Sequence, residues 1–354
     1  WRSVWQLAGW VIWARRTGRA YRAGLRYLVI QVGSGVLLLA GIIVHIQATG
    51  SVTFDHLGLG SPGATLMLVA FGIKAAFPLL HNWLQDAYPE ATVTGTVVLS
   101  AFTTKMAIYA LARGFAGAEL LITIGTVMAM FPIFYAVIEN DLRRVLAYSM
   151  NNQLGFMVVG IGIGTPLALD GAVAHAFADI LFKALLFMSM GAVLLRVGTI
   201  NGSELGGLYK SMPLTMAFCI VGAASISAFP LFSAFVTKSL ILEAAAREGH
   251  WIPFLFLLFA SAGVFHHAGI KIPYFAFFAH DSGIRCQEAP NNMLIAMGIA
   301  AALCIGIGVF PDALYAILPY PVDFDPYTTT HIITQLQLFA WSALAFSVLV
   351  RTGI

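Results

Sequence analysis

The chain has 354 residues, of which 59% are hydrophobic and only 10% charged, with a mean hydropathy of +0.86. Those values exclude an ordinary soluble domain and indicate an all-α polytopic membrane protein. The net charge of +3 informs only through where the charges fall. Cys219, Cys286 and Cys304 are far apart, lack metal-ligand spacing and read as free thiols.

Hydropathy predicts about eleven crossings of bilayer length. The first, Val4–Trp13, is partial and leads into a basic loop, Ala14–Arg26. Tyr27–His45 and Ala64–Trp83 follow, then Thr92–Ala112, Leu120–Ile138, Val145–Ile163 and Ala172–Leu195. Met212–Ala246 is longer and interrupted at Pro230; Trp251–Phe278, Met293–Phe310 and Ile332–Val350 complete the set. The chain opens on Trp1 inside a helical stretch and stops at Ile354 without a tail, so both ends read as clipped.

Placing Arg15, Arg16, Arg19, Arg22 and Arg26 in the cytoplasm puts Arg143, Arg144, Arg196, Lys210, Arg285 and Arg351 there by strict alternation, with only Arg2, Arg113 and Arg247 on the far side. The loops Ser51–Pro62 and Pro311–Thr330 carry Asp55, Asp312, Asp323 and Asp325 with no Lys or Arg, as outer loops should. A multi-pass protein of the cell (inner) membrane is expected.

Lysines and arginines divide by place. Only Lys210 of six lysines lies in a loop; Lys74, Lys105, Lys183, Lys238 and Lys271 lie within predicted helices. Arginine stays charged, whereas a buried lysine can lose its proton. The division therefore suggests proton handling. Lys74 sits midway along its apolar run, four residues before Pro78, which removes a backbone donor and breaks the helix. A snorkelling lysine is the competing reading, and the midway position argues against it.

A repeat shows faintly. Lys74 lies on a helix broken by Pro78, with Lys105 on the next; Lys238 lies on a helix broken by Pro230, with Lys271 on the next. Broken helices at matching places point to a transporter of inverted repeats. The division expected within one transmembrane domain is a partial first repeat at 1–115, a second at 116–280 and C-terminal helices at 281–354.

Further groups could carry chemistry. His175, Asp179 and Lys183 are spaced i, i+4, i+8 and share one helix face. They read as a relay, or as a static ion pair between helices. His81, Asp86 and Glu90, with Pro89 at the turn, read equally as proton entry or as a solvated helix end. Asn151, Asn152 and Gln153 would bond neighbouring helices or line a wet path. His267, four residues before Lys271, could pass it protons or simply pack. No metal, cofactor or nucleic-acid signature is read in the chain.

The stretches FGIKAAFPLLHNWLQDAYPEA (Phe71–Ala91), LSAFTTKMAIYAL (Leu99–Leu111), DLRRVLAYSMNNQLGFM (Asp141–Met157), HAFADILFKALLFMSMGAV (His175–Val193), LGGLYKSMP (Leu205–Pro213) and FPLFSAFVTKSLI (Phe229–Ile241) resemble the proton-conducting antiporter family, closest to its Mrp D-type branch. The resemblance implies two inverted five-helix repeats with broken helices, here with N-terminal helices missing, and a hydrated midplane axis through Lys74, Lys105, His175, Lys183 and Lys238. It implies protons as cargo, with Na+ as a further candidate, and other membrane subunits as partners. It admits an antiporter subunit, a pumping subunit of an NADH dehydrogenase or membrane-bound hydrogenase, and a non-conducting structural subunit. Three departures stand out. The glutamate expected opposite Lys74 has no counterpart before Glu90, its position falling on Trp1-Arg2; Asp179 stands where a second histidine is usual; and Gln85 replaces a proline.

Overall fold

The computed structural model describes residues 2–352, with side chains from residue 8 onward. Its helices are α1 (Arg2–Trp13), α2 (Gly18–Thr49), α3 (Ala64–Lys74), α4 (Asn82–Glu90), α5 (Val93–Phe115), α6 (Glu119–Ile138), α7 (Leu142–Ile163), α8 (Pro166–Val197), α9 (Pro213–Ile226), α10 (Ser233–Arg247) and α11 (Trp251–Val264). Beyond α11 the same span continues through π-helical turns Phe265–Ile270 and Tyr274–Phe278. The last long helices are α12 (Asn291–Val309) and α13 (Thr329–Thr352). Seven of the segments are long and apolar enough to cross a bilayer unbroken. The α3–α4 and α9–α10 pairs and the polar α7 fill the remaining central places.

The basic loop is shorter than predicted. Only the residues between Trp13 and Gly18 turn, and α2 begins at Gly18, where the Thr17 hydroxyl accepts a hydrogen bond from the Ala20 amide at 3.1 Å. Ala20, Ala23, Gly24 and Tyr27 then bury one helical face while Arg19, Arg22 and Arg26 stay exposed. That amphipathic pattern is what the hydropathy reading passed over.

Polar α7 is the hub. It is buried along nearly its whole length, and Asp141 caps its start by accepting from the Arg143 and Arg144 amides at 2.8 and 3.0 Å. Where α6 crosses α7, a Cβ added to Gly155 would lie 2.7 Å from the Gly125 carbonyl oxygen. Hydrogen at both positions lets two backbones touch, a common solution where lipid supplies no hydrophobic drive between helices.

The two helix breaks have one backbone. Ala76-Phe77-Pro78-Leu79 and Ala228-Phe229-Pro230-Leu231 carry the same letters. Ala76 and Ala228 have φ of 60° and 62°, and Leu79 and Leu231 have φ of 69° and 73°. In each, the Phe amide donates five residues back, Phe77 to Gly72 O at 2.9 Å and Phe229 to Ala224 O at 3.0 Å. The repeat is thus stronger in letters than expected, but its register differs. Aligned on AFPL, Lys74 falls opposite Ile226 and Lys238 opposite Asp86. Lys74 closes the helix before its break, and Lys238 sits within the helix after its own. The lysines are not equivalent positions.

Candidate functional site

Lys74 is the last residue of α3, and its ammonium donates to Gln31 Oε1 on α2 at 3.0 Å. The expected acidic position, Trp1-Arg2, falls outside the residues with described side chains. At the first break the Ile73 carbonyl accepts from Trp83 Nε1 at 2.8 Å. At the second the Ile226 carbonyl accepts from Lys238 Nζ, also at 2.8 Å. A broken helix exposes carbonyls that need a donor, and here a lysine of the site supplies one.

On α5, Lys105 donates to its own Ser100 carbonyl at 2.9 Å and meets Asp179 Oδ2 of α8 at 2.5 Å. The contact is an ion pair rather than an aligned hydrogen bond, so both Asp179 oxygens keep accepting capacity. His175, Asp179 and Lys183 do share a face of α8, yet they do not bond one another: Asp179 meets α5, Lys183 meets α7, and His175 bridges α7 and α10. Lys183 donates to the Leu146 carbonyl of α7 at 3.2 Å. His175 Nε2 lies 3.0 Å from Gln153 Oε1 of α7, and Nδ1 lies 2.9 Å from Thr237 Oγ1 of α10. An amide oxygen only accepts, so Nε2 carries the proton and a neutral ring accepts from Thr237 at Nδ1. Lys238 sits 5.1 Å above the Phe156 ring, a cation–π contact that shelters its charge.

The result is a row of buried polar groups on successive helices, Gln31 on α2, Lys74 on α3, Lys105 on α5, Asp179, Lys183 and His175 on α8, and Lys238 on α10. Gln31 Nε2, Thr104 Oγ1, Ser149 Oγ, Ser233 Oγ and both Asn151 amide atoms are buried beside it with no hydrogen-bond partner among the described residues. Such capacity costs about 1–3 kcal/mol per group unless water meets it. Asn152 bonds the Ala129 carbonyl of α6 and accepts from Gln153 at 2.7 Å. The Asn-Asn-Gln run therefore does both things its sequence allowed.

The remaining candidates lie off this row. Asp86 pairs with Arg26 at 2.5 Å and Glu90 with Arg15 at 3.2 Å. Both carboxylates line a cavity of about 270 Å³ shared with Arg19, Arg22, Arg26 and Arg144. Pro89 lies inside α4, and its carbonyl accepts from Arg15 and from the fully buried Arg143. His81 packs on the Phe131 ring. Four arginines around two carboxylates repel a cation, so the surroundings of Asp86 and Glu90 favour a brace over proton entry. Lys271 points to the end of α6, donating to Ala136, Val137 and Glu139 carbonyls at 3.0, 2.7 and 2.5 Å. Because π-helical turns intervene, the i, i+4 relation expected of His267 and Lys271 does not hold as on an α-helix.

Gln31, Thr237 and Phe156 were not singled out by sequence. A lone amide inside the apolar run Tyr27–His45 was the available signal for Gln31.

A family model described as NADH:quinone oxidoreductase/Mrp antiporter, transmembrane region, matches residues 8–265. The chain belongs to this family. Among curated relatives it is 28% identical to hydrogenase-4 component B of Escherichia coli, over 87% of this chain and 52% of that protein. It is 30% identical to a Na(+)/H(+) antiporter subunit of Alkalihalophilus pseudofirmus, over 83% of this chain and 64% of that one. The chain thus spans little more than half the length of these relatives. A chain in the structure of the Mrp complex from Dietzia sp. DQ12-45-1b superposes with a TM-score of 0.79 at 20% identity, covering 93% of this chain and 70% of that one, a likeness of fold. Membership of the NADH:quinone oxidoreductase/Mrp antiporter family fits a multi-pass membrane protein and a fold of broken helices around buried charge.

Proposed function

We propose that the chain is the ion-translocating part of a multisubunit cation/proton antiporter, moving protons along the row Lys74, Lys105, Asp179, Lys183, His175, Lys238. One observation carries this reading: ionisable side chains from α3, α5, α8 and α10 converge in the interior, although burying each ion costs several kcal/mol. A static scaffold gains nothing from five lysines in apolar spans, whereas a proton path needs groups that change charge in place. Asp179 is the carboxylate that meets an ammonium of the first half, so a proton arriving there would weaken the Lys105 pair and release that lysine's charge toward Lys74. Other membrane subunits would flank the lipid-facing helices in the cell membrane, with the arginines of α2 at the cytoplasmic surface.

The test is Lys74→Ala in the assembled complex, reconstituted in vesicles. Cation-dependent proton exchange should vanish while assembly persists; undiminished exchange removes the proposal. A second reading, a pumping subunit driven by redox chemistry in other chains, is favoured by the likeness to a hydrogenase component. Supplying the complex with hydrogen or NADH instead of a sodium gradient separates the two.

A further inference from the structure

The last part of the span Trp251–Phe278 is the least regular helix in the protein. Two π-helical turns flank the three residues Lys271–Pro273, and Gly269 lies so close to Ser227 Oγ at the second helix break that a Cβ would not fit. π-helical turns are rare, cost hydrogen-bond geometry and collect at functional sites.

His266 and His267 are consecutive residues of the first π-helical turn. His267 is fully buried and His266 is half-buried; neither ring nitrogen of His266 has a hydrogen-bond partner among the described residues, and His267 has only a loose contact to the Gly263 backbone one turn earlier. Buried imidazoles normally bond both nitrogens. His267 lies within electrostatic reach of Lys183 and, more weakly, of Lys271; His266 lies within reach of Lys271. The histidine pair thus stands between the central row and the lysine at the end of α6.

Lys271 and His266 also line a cavity of about 210 Å³ with Glu139, Asn140 and Ser203. Ser203 and Asn140 are exposed, while Lys271 is only 8% exposed. The cavity therefore runs from the loops bearing Glu139 and Ser203, on the arginine-rich face, down to a buried ammonium. Two carbonyls of α6, Ala136 and Val137, and that of Glu139 just beyond it fix the ammonium beside the mouth. A fixed ammonium turns away a sodium ion, yet it exchanges protons with water on one side and imidazole on the other.

We infer that this cavity is a proton inlet for the second half of the chain, running from Glu139 at the mouth through Lys271, His266 and His267 to Lys183. The inference rests on the proton-path reading above and adds its own point of entry and direction. Protons from the cytoplasmic face would load Lys183 without passing Lys74. His267 acts here by accepting a proton at one ring nitrogen as it releases one from the other, so the ring passes charge without holding it.

The test uses the whole complex in inverted vesicles, with the cytoplasmic face outward. Ser203→Cys should transport like the parent until a cationic thiosulfonate is added to that face. Transport should then fall about a hundredfold or more, the scale on which a blocked proton relay acts, while the parent, with its native cysteines, is unaffected by the same reagent. Labelling of the introduced thiol, confirmed by mass, with transport unchanged would overturn the inlet. His267→Gln, close in shape but unable to relay, should lose transport to a similar degree with assembly intact. Full transport in that variant would overturn it as well. Lys74→Ala in the same vesicles keeps the two proposals apart. If it is inactive while both inlet variants are normal, the inlet fails and the central path stands; if it is active, the central path fails.

Discussion

Asp179 of α8 and Lys105 of α5 stand 2.5 Å apart, with the carboxylate fully buried and the ammonium side chain 7% exposed. The pair joins α5 to α8, helices separated in the chain by α6 and α7. Two ions this deep cost more to dehydrate than a structural bond requires, and well-packed apolar residues often hold helices as firmly.

Asp179→Asn keeps the shape and removes the charge, leaving Lys105 buried without its counterion. Such a change costs about 3–5 kcal/mol, readable as a lower melting temperature of the complex in detergent. The double variant Lys105→Met with Asp179→Asn should recover most of that stability and none of the transport. Recovery of both would make the pair a brace and nothing more.

The helix breaks offer a second check. Leu79 has a φ of 69° and is 90% exposed, so its side chain gives little packing in return for a left-handed backbone. Leu79→Gly should stabilise the protein by about 1 kcal/mol, with transport retained. Ala76 has the same kind of backbone but is fully buried. Ala76→Val adds bulk and β-branching where neither fits, and should lower the yield of folded protein. Paired melting curves decide it.

The eleven crossings were legible because a bilayer demands about twenty apolar residues per helix, and the chain alternates between them and charged loops. The broken helices were legible through Pro78 and Pro230. Their shared conformation was also written in the chain, as the repeated AFPL, but lysine spacing drew attention to a different register. Partners were the harder part. The spacing of His175, Asp179 and Lys183 fixes a common face, yet which helix meets each group depends on packing between segments distant in sequence. Thus Asp179 found Lys105, and His175 found Gln153 and Thr237. The π-helical turns at His266 and His267 left no mark that periodicity could detect, since a one-residue widening lies below the resolution of a hydropathy pattern.

The crossing of α6 over α7 predicts its own sensitivity. With the Gly125 carbonyl oxygen 2.7 Å from where a Gly155 Cβ would lie, a side chain there must push two backbones apart. Overpacking of this kind costs about 1–3 kcal/mol in a yielding core and more where backbone is the obstacle. Gly155→Val should therefore abolish assembly, whereas Gly18→Ala, at an open position on α2 with nothing within 4 Å, should be silent. Yield of assembled complex from membranes measures both.

Outside the spans, Asp281 ties two loops together. Its oxygens take a two-pronged contact from Arg285 at 2.9 and 2.8 Å and one from Lys210 at 2.7 Å. Arg285 first, and Lys210 next, hold the carboxyl well below the usual carboxylate range. A depressed acid contributes its stability in full above its unfolded pKa, near 3.9, and loses it as pH falls toward the folded value. The site is exposed, so salt screens it. Asp281→Asn should make the loops around Lys210 and Arg285 exchange amide hydrogens faster at pH 7. The difference from the parent should hold down to about pH 4 and shrink below it, and high salt at pH 7 should shrink it too. A difference that ignores both acid and salt would assign the loop's order to packing instead of charge.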